Sequence, residues 1–456
     1  MPYHYPSIGA PNSDSGLHVV TPDSQDYLAC CGLFNRALTY APAWIAYPYN
    51  TREVAQATVK AVNAGLPIAV RSAGHDYEGF SSNNGGAVID TGRLDSIHVS
   101  RDKNRCIVGP GVQLRKVYHT LFGHGLSLPG GTCGSVGVAG LTLGGGFGNL
   151  GRLHGLLCDR LRRVQVVDAR GDIKESKGSP IQSNLLWACC GGGGGNFGVV
   201  TEFEFEPVPV PANITVFSYK WEWNRDSIRT LFPVYEQWAE RAPREIGATV
   251  VITSESWNTL HFFGQSLLDI ETTRDAIADV IGAIQNPIEQ TIEVAPFLAN
   301  MEKYAGTDYA STSWKMASTF SADPISHAGM DALIEALASG PPGTLIEFDA
   351  LGGAVTDVSV EATAFPHRNQ RLLWQFQAYW ADPNEALAYR TWIQRAFLSI
   401  DPFTSQVSYR NYCDLNLEDW PRRYYLSNYP RLQRVKRELD PENVFRYPQS
   451  VQPNAE

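Results

Sequence analysis

Six consecutive residues, 71–76, combine side chains and backbone groups that can bind an anion or a cofactor. They read Arg-Ser-Ala-Gly-His-Asp, follow a predicted strand and continue into a loop through Gly79 and Ser81. Small residues after a strand can present successive backbone N–H groups to an anion, and the planar guanidinium of Arg71 can bind phosphate or carboxylate. His75 is then either held at a cofactor or bonded within its own loop, and the local sequence alone favours the second reading.

The densest run of glycine lies in residues 129–148. Residues 129–140 read Pro-Gly-Gly-Thr-Cys-Gly-Ser-Val-Gly-Val-Ala-Gly, and residues 144–148 read Gly-Gly-Gly-Phe-Gly. Such spacing indicates positive φ angles or a close approach of the backbone to a ligand. Apolar residues are interleaved with these glycines, as they would not be in a flexible linker, so we predict a buried, tightly wound loop against a flat or phosphorylated ligand. A dinucleotide fingerprint fits poorly because no clean strand precedes the run, and a P-loop is excluded because no Gly-Lys-Ser/Thr follows.

Late in the chain, residues 407–412 carry two tyrosines and an asparagine that could reach a ligand. We predict a strand there, on which Tyr409 and Asn411 share one face while Tyr412 takes the other. Both tyrosines reach one ligand only if the strand ends or bulges at this point. On spacing alone, the aromatic residues favour packing over catalysis. An earlier glycine turn, 191–201, enters another predicted strand.

In the first part of the chain, short helices and strands must position the loop at 71–76 and the glycine-rich run. We predict an amphipathic helix over 50–64 with Thr51 as its N-cap, and strands over 66–71, 87–90 and 106–108. Prolines at alternating positions within 207–212 cannot continue a central strand and mark a domain boundary.

Beyond that boundary the pattern changes to longer strands that alternate with helices. We predict strands over 214–223, 247–255, 259–266 and 372–380, and helices over 227–240 and 272–284. This recurrence indicates an antiparallel sheet covered by helices on one face, and therefore an α+β protein of two domains. Alternation along 372–380 places Gln375, Gln377 and Tyr379 on one face, and a core face of Trp374, Phe376 and Ala378 on the other.

Composition excludes several classes of partner. The chain has 456 residues, and its 47 Asp and Glu outnumber its 37 Lys and Arg, so nucleic acid and anionic membranes are unfavourable partners. Residues 1–10 have neither a positive nor an apolar signal region, from which we expect a cytoplasmic protein. The eight cysteines lack the spacing of a disulfide scaffold or a zinc site, so we expect no metal and, Cys133 aside, reduced buried thiols.

Taken together, the glycine-rich and aromatic segments resemble the flavin-dependent oxidases of the vanillyl-alcohol oxidase superfamily (PCMH-type FAD-binding proteins), and within it the berberine-bridge-enzyme-like branch. The matching segments, in chain order, are residues 71–75, 131–137, 144–148, 191–201, 364–368, 409–412 and 440–445. The resemblance implies a PCMH-type FAD-binding domain over 1–207, a substrate domain over 208–405, and a C-terminal segment over 406–456 that returns to the FAD domain. After the 144–148 turn the family often has Arg-Lys-Tyr-Gly, whereas this chain has Leu153 and His154 in the middle positions, and His154 is either a pocket or a surface residue.

For the cofactor, the resemblance implies FAD bonded covalently through His75 to the 8α-methyl group and through Cys133 to C6 of the ring. It implies further FAD contacts from a set of loop and glycine-rich residues: Arg71, Ser72, Ala73, Gly74, Asp76, Ser81, Gly131, Val136, Gly137, Gly140, Leu141, Gly144, Gly145, Gly148, Val199 and Asn411.

For the reaction, the resemblance implies hydride transfer from a carbon bearing a hydroxyl or an amine to flavin N5, with dioxygen reduced to hydrogen peroxide. It places a tyrosine over the flavin, so Tyr412 and Tyr409 are the candidate bases, and each needs a cation or hydrogen bonds to lower its pKa from about 10. Alkaloid-oxidising members carry a basic carboxylate on the strand that matches 372–380. Glutamine there favours alcohol oxidation, with Gln375, Gln377 and Tyr379 binding the substrate.

In this family, attachment of the flavin through both a histidine and a cysteine usually accompanies an open active site. The resemblance therefore implies that the substrate is a bulky alcohol of secondary metabolism: an oligosaccharide, a glycosylated natural product or a polyketide. Two alternatives stay open at this point. One is a flavin dehydrogenase or oxidative cyclase on the same scaffold, and the other is a binding protein that has lost its chemistry.

Overall fold

The computed structural model describes residues 16–306 and 312–454. Its strands are β1 His18–Val20, β2 Trp44–Tyr47, β3 Ile68–Arg71, β4 Ala87–Asp90, β5 Ile97–Val99, β6 Cys106–Val108, β7 Leu126–Ser127, β8 Leu161–Val167, β9 Ile173–Lys177, β10 Val199–Phe205, β11 Val208–Pro209, β12 Asn213–Trp221, β13 Ile246–Thr253, β14 Leu260–Ser266, β15 Glu289–Pro296, β16 Ser313–Ser321, β17 Thr344–Ala350 and β18 Leu372–Trp380. Its α-helices are α1 Tyr27–Cys30, α2 Thr51–Asn63, α3 Leu114–Phe122, α4 Val138–Leu143, α5 Gly151–His154, α6 Asn184–Ala188, α7 Arg225–Arg241, α8 Ile270–Gly282, α9 Phe297–Gly306, α10 His327–Ala338, α11 Ala386–Ile400, α12 Trp420–Tyr425 and α13 Tyr429–Leu439.

The first part of the chain forms two small sheets. One has the order β1-β2-β4-β3, with β2, β4 and β3 parallel, and the other is antiparallel with the order β5-β6-β10-β8-β9. Helix α2 packs its buried apolar face against the first sheet. Its N-cap is Asn50, not the predicted Thr51, because the Asn50 side chain accepts the Glu53 N–H that the helix leaves unpaired.

The second part is a seven-stranded antiparallel sheet of order β15-β12-β14-β13-β17-β18-β16. Helices α7, α8, α10 and α11 cover one face, and the buried core there includes Trp374, Phe376 and Ala378 of β18. Because successive side chains on a strand point to opposite faces, Gln375, Gln377 and Tyr379 face away from those helices, as predicted. The mixed α+β architecture with a helix-covered antiparallel sheet is therefore confirmed.

Residues 407–412 do not form the predicted strand. Residues Arg410–Tyr412 form a 3₁₀ turn, in which the Tyr412 N–H donates to the Tyr409 carbonyl at 2.9 Å. The Ser318 hydroxyl on β16 accepts the Tyr409 N–H at 3.1 Å and donates to the Tyr412 carbonyl at 3.3 Å. Bonds to the side chain of Ser318 replace a strand ladder, so the alternation predicted for the tyrosines does not apply.

The C-terminal segment packs against the first part of the chain. Phe445 forms an isolated bridge with Ile68 at the end of β3. The buried Lys436 ammonium donates to the Asn196 carbonyl at 2.8 Å and pairs with Asp440 at 2.6 Å. These contacts tie residues after 428 to the strands and turns that precede residue 200.

The buried Arg152 of α5 joins the two parts of the molecule on the opposite side. Its guanidinium donates to the Ala239 and Ala242 carbonyls at 2.9 and 2.7 Å, and also to the Leu351 carbonyl. Backbone carbonyls around the helix-covered sheet thus bind both terminal nitrogens of this guanidinium, whereas its Nε has no partner among the described residues. Over 16–306 and 312–454, no helix combines the length and apolarity that crossing a membrane would require.

Candidate functional site

A cavity lies where the loop after β3, the glycine-rich segment and the uncovered face of the large sheet meet. Fourteen of the residues that the sequence singled out line it: Ser72, Ala73, Gly74, His75, Asp76, Ser81, Cys133, Val136, Gly137, Gly140, Leu141, Tyr379, Asn411 and Tyr412. The other nine do not line it: Arg71, Gly131, Gly144, Gly145, Gly148, Val199, Gln375, Gln377 and Tyr409. The fold therefore gathers most of the predicted residues from distant segments into one place.

His75 is held with a neutral ring. Its Nε2 lies 3.0 Å from the Ser135 hydroxyl, and its ring stacks on Phe34 with 3.8 Å between centroids. Burial lowers the pKa of His75 to about 3, so the imidazole carries no proton charge at neutral pH. A neutral imidazole keeps a nitrogen lone pair that can bond to carbon.

Cys133 differs from the other cysteines. None of the eight is in a disulfide, and Cys133 alone among them is exposed, whereas Cys31 is half-buried and the rest are buried. It lines the same cavity as His75. The thiols otherwise behave as the small buried groups that the sequence suggested.

The glycines of the site serve two different purposes. A Cβ on Gly140 would meet no protein atom within 4 Å, and one on Gly194 would meet none closer than 3.7 Å. Both glycines line the cavity, so their missing side chains leave the backbone open to a ligand. By contrast, a Cβ on Gly144 would lie 1.9 Å from Asn411 Oδ1, and one on Gly148 would lie 1.7 Å from the Gly130 carbonyl oxygen. Those two glycines allow the protein to pack on itself.

Two polar groups at the cavity are incompletely paired among the described residues. The buried hydroxyl of Ser81 and the buried Nε of Arg410 have no hydrogen-bond partner there. Arg410 is also the one arginine or lysine among the described residues that line the cavity, and its Nη2 donates to the Tyr447 hydroxyl at 2.9 Å. A buried cation and an unpaired hydroxyl beside open glycine backbone fit a ligand with phosphate groups.

Arg71, which the sequence predicted as a ligand of the cofactor, does not line the cavity. Its guanidinium forms a buried ion pair with Asp90, its partner on the neighbouring parallel strand, and donates to the Tyr47 hydroxyl at 3.2 Å. Buried acids and bases are stable when paired, so Arg71 holds the ends of β3 and β4 together. Arg410 supplies the cation at the cavity instead.

Tyr409 lies behind the cavity. Its hydroxyl accepts the Gly146 N–H at 2.8 Å and Asn411 Nδ2–H at 3.0 Å, and burial raises its pKa to about 12. Asn411 also donates to the Leu141 carbonyl at 3.0 Å. Tyr409 thus fixes the glycine turn, and of the two predicted tyrosines only Tyr412 lines the cavity.

Tyr412 is stacked on Tyr77, a residue that the sequence argument missed. Their ring planes are 3° apart with centroids separated by 5.3 Å, and both residues line the cavity. Burial raises the pKa of both phenols well above the usual value, and the negative charges of Asp349 and Glu347 add to this at Tyr412. Burial and the groups that act most strongly on Tyr412 all raise its pKa, so its surroundings do not lower the pKa as expected.

Hydrogen-bonded side chains on the uncovered sheet face connect Tyr77 of this pair to a carboxyl group. Gln375 Nε2 donates to the Tyr77 hydroxyl at 2.7 Å, and Gln377 Nε2 donates to Gln375 Oε1 at 3.1 Å and to Glu347 Oε2 at 2.8 Å. The Tyr379 hydroxyl donates to Gln377 Oε1 at 2.7 Å. Gln375 and Gln377 therefore stand behind the cavity-lining tyrosines and orient them.

Glu347 supplies a carboxyl group that β18 itself lacks. It lies on β17, directly opposite Gln375 in the sheet register. Burial raises the pKa of Glu347 and, further along the strand, that of Asp349, which accepts the Thr249 hydroxyl at 2.8 Å. The neighbouring strand β17 thus places a carboxyl group beside the glutamines of β18, although Glu347 does not line the cavity.

The remaining predicted residues have structural positions. Val199 is buried in the core beneath α2, and the Gly131 carbonyl accepts the Tyr118 hydroxyl. Gly145 has a φ of 127° and packs against Phe365. His154 is half-buried and lies outside the cavity, and burial lowers its pKa.

Comparisons with known proteins show the family to which the chain is similar. Residues 42–177 match the family model described as FAD binding domain, and residues 408–452 match the model described as berberine and berberine like. The FAD-linked oxidoreductase YgaK of Bacillus subtilis is 31% identical over 95% of this chain and 96% of its own length.

Solved structures give the same result. A berberine bridge enzyme-like protein of Physcomitrella patens has a TM-score of 0.90 and 26% identity, covering 97% of this chain and 98% of its own. A chitooligosaccharide oxidase has a TM-score of 0.88 and 25% identity, covering 96% of this chain and 98% of its own. FAD is the cofactor that these likenesses support, and the open glycines, Ser81 and Arg410 fit such a phosphate-bearing ligand.

Gly140→Leu tests whether the cavity holds FAD. Since no protein atom lies within 4 Å of the Cβ position, the leucine side chain would extend into the cavity without disturbing the fold. We expect the variant to keep the wild-type far-ultraviolet circular dichroism but to be purified with less than about a tenth of the flavin, measured by visible absorbance per protein. Gly282→Leu, whose Cβ position on α8 is equally open, is the matched control and should keep its flavin. Full flavin content in Gly140→Leu would place FAD elsewhere.

Proposed function

The chain belongs to the berberine bridge enzyme-like family of FAD-linked oxidoreductases, and from that premise we propose that it is an oxidase of bulky alcohols with covalently bound FAD. The observation that carries the proposal is that His75, Cys133 and the Tyr77–Tyr412 pair all line one cavity. The substrate carbon loses a hydride and its hydroxyl loses a proton, so the product is a carbonyl compound. FAD, when bound, supplies the two-electron oxidation, with dioxygen as the final acceptor and hydrogen peroxide as the second product.

His75 and Cys133 are the proposed attachment points. The neutral ring of His75, stacked on Phe34, is fixed in position and has a lone pair available for a bond to carbon. Cys133 is the exposed thiol of the same cavity, in the loop that precedes α4. Anchors on two separate segments would hold a flat ring in a single orientation.

Tyr412 is the proposed group that takes the hydroxyl proton. Because burial keeps its phenol protonated, Tyr412 can accept a proton only if its own proton passes to a neighbour. Glu347, whose charge acts on Tyr412, is the proposed final acceptor of that proton, and Gln377 holds this carboxylate in place by donating to it at 2.8 Å. Tyr409 is excluded from this role by its position behind the glycine turn.

A hydroxylated substrate suits the face opposite the flavin-binding loop. Tyr379 and Tyr412 present phenol groups and aromatic rings there, and Tyr77 adds a third from the loop itself; amphipathic rings of this kind can contact sugars or polyketides through both polar and apolar surfaces. The likeness to an enzyme named chitooligosaccharide oxidase supports an oligosaccharide or a glycosylated compound as the first class to test.

Oxidase activity is tested with the purified holoprotein and a panel of oligosaccharides and glycosylated polyketides. In the absence of dioxygen we expect a substrate to bleach the visible flavin absorption, since reduction needs no other acceptor. Admission of dioxygen should restore the absorption and yield one hydrogen peroxide per carbonyl formed. Bleaching that persists in dioxygen would instead indicate a dehydrogenase, and a flavin that no alcohol or amine bleaches would indicate a binding protein.

Covalent attachment is tested by acid precipitation of the wild type, His75→Ala, Cys133→Ala and the double variant. We expect flavin in the pellet of the wild type and of both single variants, because one bond suffices, and in the supernatant of the double variant. Ser135→Ala, which removes only the hydrogen bond to His75, is the control and should keep flavin in the pellet. Flavin retained in the double-variant pellet would refute both attachment points.

The proton path is tested by the pH dependence of anaerobic flavin reduction. Glu347 must be ionised to accept a proton, so the rate should rise with pH through a pKa above the ordinary glutamate value, and Glu347→Gln should flatten that rise. Tyr412→Phe should reduce the rate by about 100-fold or more, whereas Tyr409→Phe should stay within about threefold of the wild type. Equal, near-native rates in both tyrosine variants would remove tyrosine as the base.

A further inference from the structure

A buried ion triad lies beside the tyrosine pair and takes no part in the reaction proposed above. The Lys315 ammonium on β16 contacts Asp414 at 2.7 Å and also Glu78. The three side chains are 8%, 4% and 6% exposed, respectively. They come from the edge strand of the large sheet, the C-terminal segment and the loop after His75, so one lysine joins three distant parts of the chain.

Each carboxylate of the triad is close in sequence to one of the stacked tyrosines. Glu78 follows Tyr77 directly, and Asp414 lies two residues after Tyr412. The two segments are also bonded to each other, because Glu78 Oε1 accepts the Leu415 N–H at 3.1 Å. The relative position of Tyr77 and Tyr412 therefore depends on two carboxylates that would repel each other without the lysine between them.

The lysine's own neighbours complete the enclosure of the pair. Trp314 and Met316, on either side of Lys315, line the cavity. Trp314 packs edge-to-face on Tyr77, with 4.5 Å between centroids and planes at 81°. Strand β16 thus affects the tyrosine pair through two residues. Trp314 contacts Tyr77 directly, and Lys315 binds the two carboxylates that lie close to the tyrosines in sequence.

A purely stabilising role does not explain three charges at this place. Removing charges from water is costly, and apolar side chains of the same volume often stabilise a buried site equally well. What an ion triad adds is direction: its hydrogen bonds fix the two backbone segments in one register, which apolar packing would not specify. The positions of Tyr77 and Tyr412 must be precise, because a displacement of about 1 Å at a reacting group is enough to slow a reaction strongly.

We propose that Lys315 is a positioning residue that holds Tyr412 against Tyr77 by clamping Asp414 and Glu78 together. The proposal rests on the function given above for Tyr412, and it adds a specific determinant of that tyrosine's geometry. Lys315 does not line the cavity, so its loss should act on the rate of proton removal more than on substrate binding.

The test compares Lys315→Met, Lys315→Arg and Lys436→Met in the flavin-loaded protein. Lys315→Met should lower kcat by about tenfold or more with KM within about threefold, and Lys315→Arg should restore most of the rate because a guanidinium can bind both carboxylates. Lys436, equally buried and paired with Asp440, is the matched control for the loss of a buried lysine. Lys436→Met should lower the unfolding temperature but leave kcat within about threefold of the wild type.

A crystal structure of the variant gives a readout that needs no turnover. In Lys315→Met the centroid separation of Tyr77 and Tyr412 should move from 5.3 Å by more than about 0.5 Å. If Lys315→Met does not fold, the triple change Lys315→Met, Glu78→Gln and Asp414→Asn removes all three charges together and should show the same displacement and the same loss of kcat. Unmoved rings with an unchanged kcat in either variant would overturn the proposal. Displaced rings with an unchanged kcat would keep the clamp and remove Tyr412 as the base, so the two failures are distinguishable.

Discussion

The alternation of side chains along the strands of the large sheet is the constraint on which the rest of the structure depends. A strand must present every second side chain to one face, so a single sheet can bury Trp374 and Phe376 under helices while it holds Gln375, Gln377 and Tyr379 on the other side. The apolar face packs against the helices, and the polar face lies over the cavity. The loop after β3 and the glycine-rich segment form the floor, and their glycines leave backbone open where a phosphate-bearing cofactor fits.

Burial decides the electrostatics of this enclosed space. It keeps the His75 ring neutral, raises the pKa of Tyr412 and Tyr77, and raises the pKa of Glu347 as well. All four groups are therefore in their uncharged forms over a wider pH range than in water. A neutral imidazole can form a bond to the flavin ring. A protonated phenol can take the hydroxyl proton of the substrate only if it passes its own proton to another group. The hydrogen bonds that Gln375 donates to Tyr77 and Gln377 donates to Glu347 fix the positions of that phenol and that carboxyl group.

Patterns local in sequence predicted most elements and many site residues. Strand β18 was expected over 372–380 and is observed over Leu372–Trp380, because its alternation is regular and its length is typical of a strand. His75 and Cys133 were assigned to the flavin from the resemblance to known oxidases, because the local sequence alone favoured a His75 bonded within its own loop. Contacts that depend on which strands pair, and in which register, could not be predicted from local sequence patterns. The pairing of Arg71 with Asp90 depends on two parallel strands lying side by side, and Glu347 meets Gln377 only because β17 pairs with β18. The turn at residues 410–412 depends on Ser318, about ninety residues earlier, and no local pattern marks that bond.

The central claim is that the tyrosine pair takes the proton of a substrate hydroxyl while the substrate carbon is oxidised. The most direct measurement is anaerobic reduction of the flavin by the alcohol that bleaches it fastest, compared with the same compound methylated at the hydroxyl that the enzyme converts to a carbonyl. The methyl group removes the one proton that Tyr412 is proposed to accept and leaves the rest of the compound in place. The account predicts that the free alcohol bleaches the flavin and that its methyl ether leaves it oxidised. Equal bleaching by both would show that no hydroxyl proton is needed and would contradict the account.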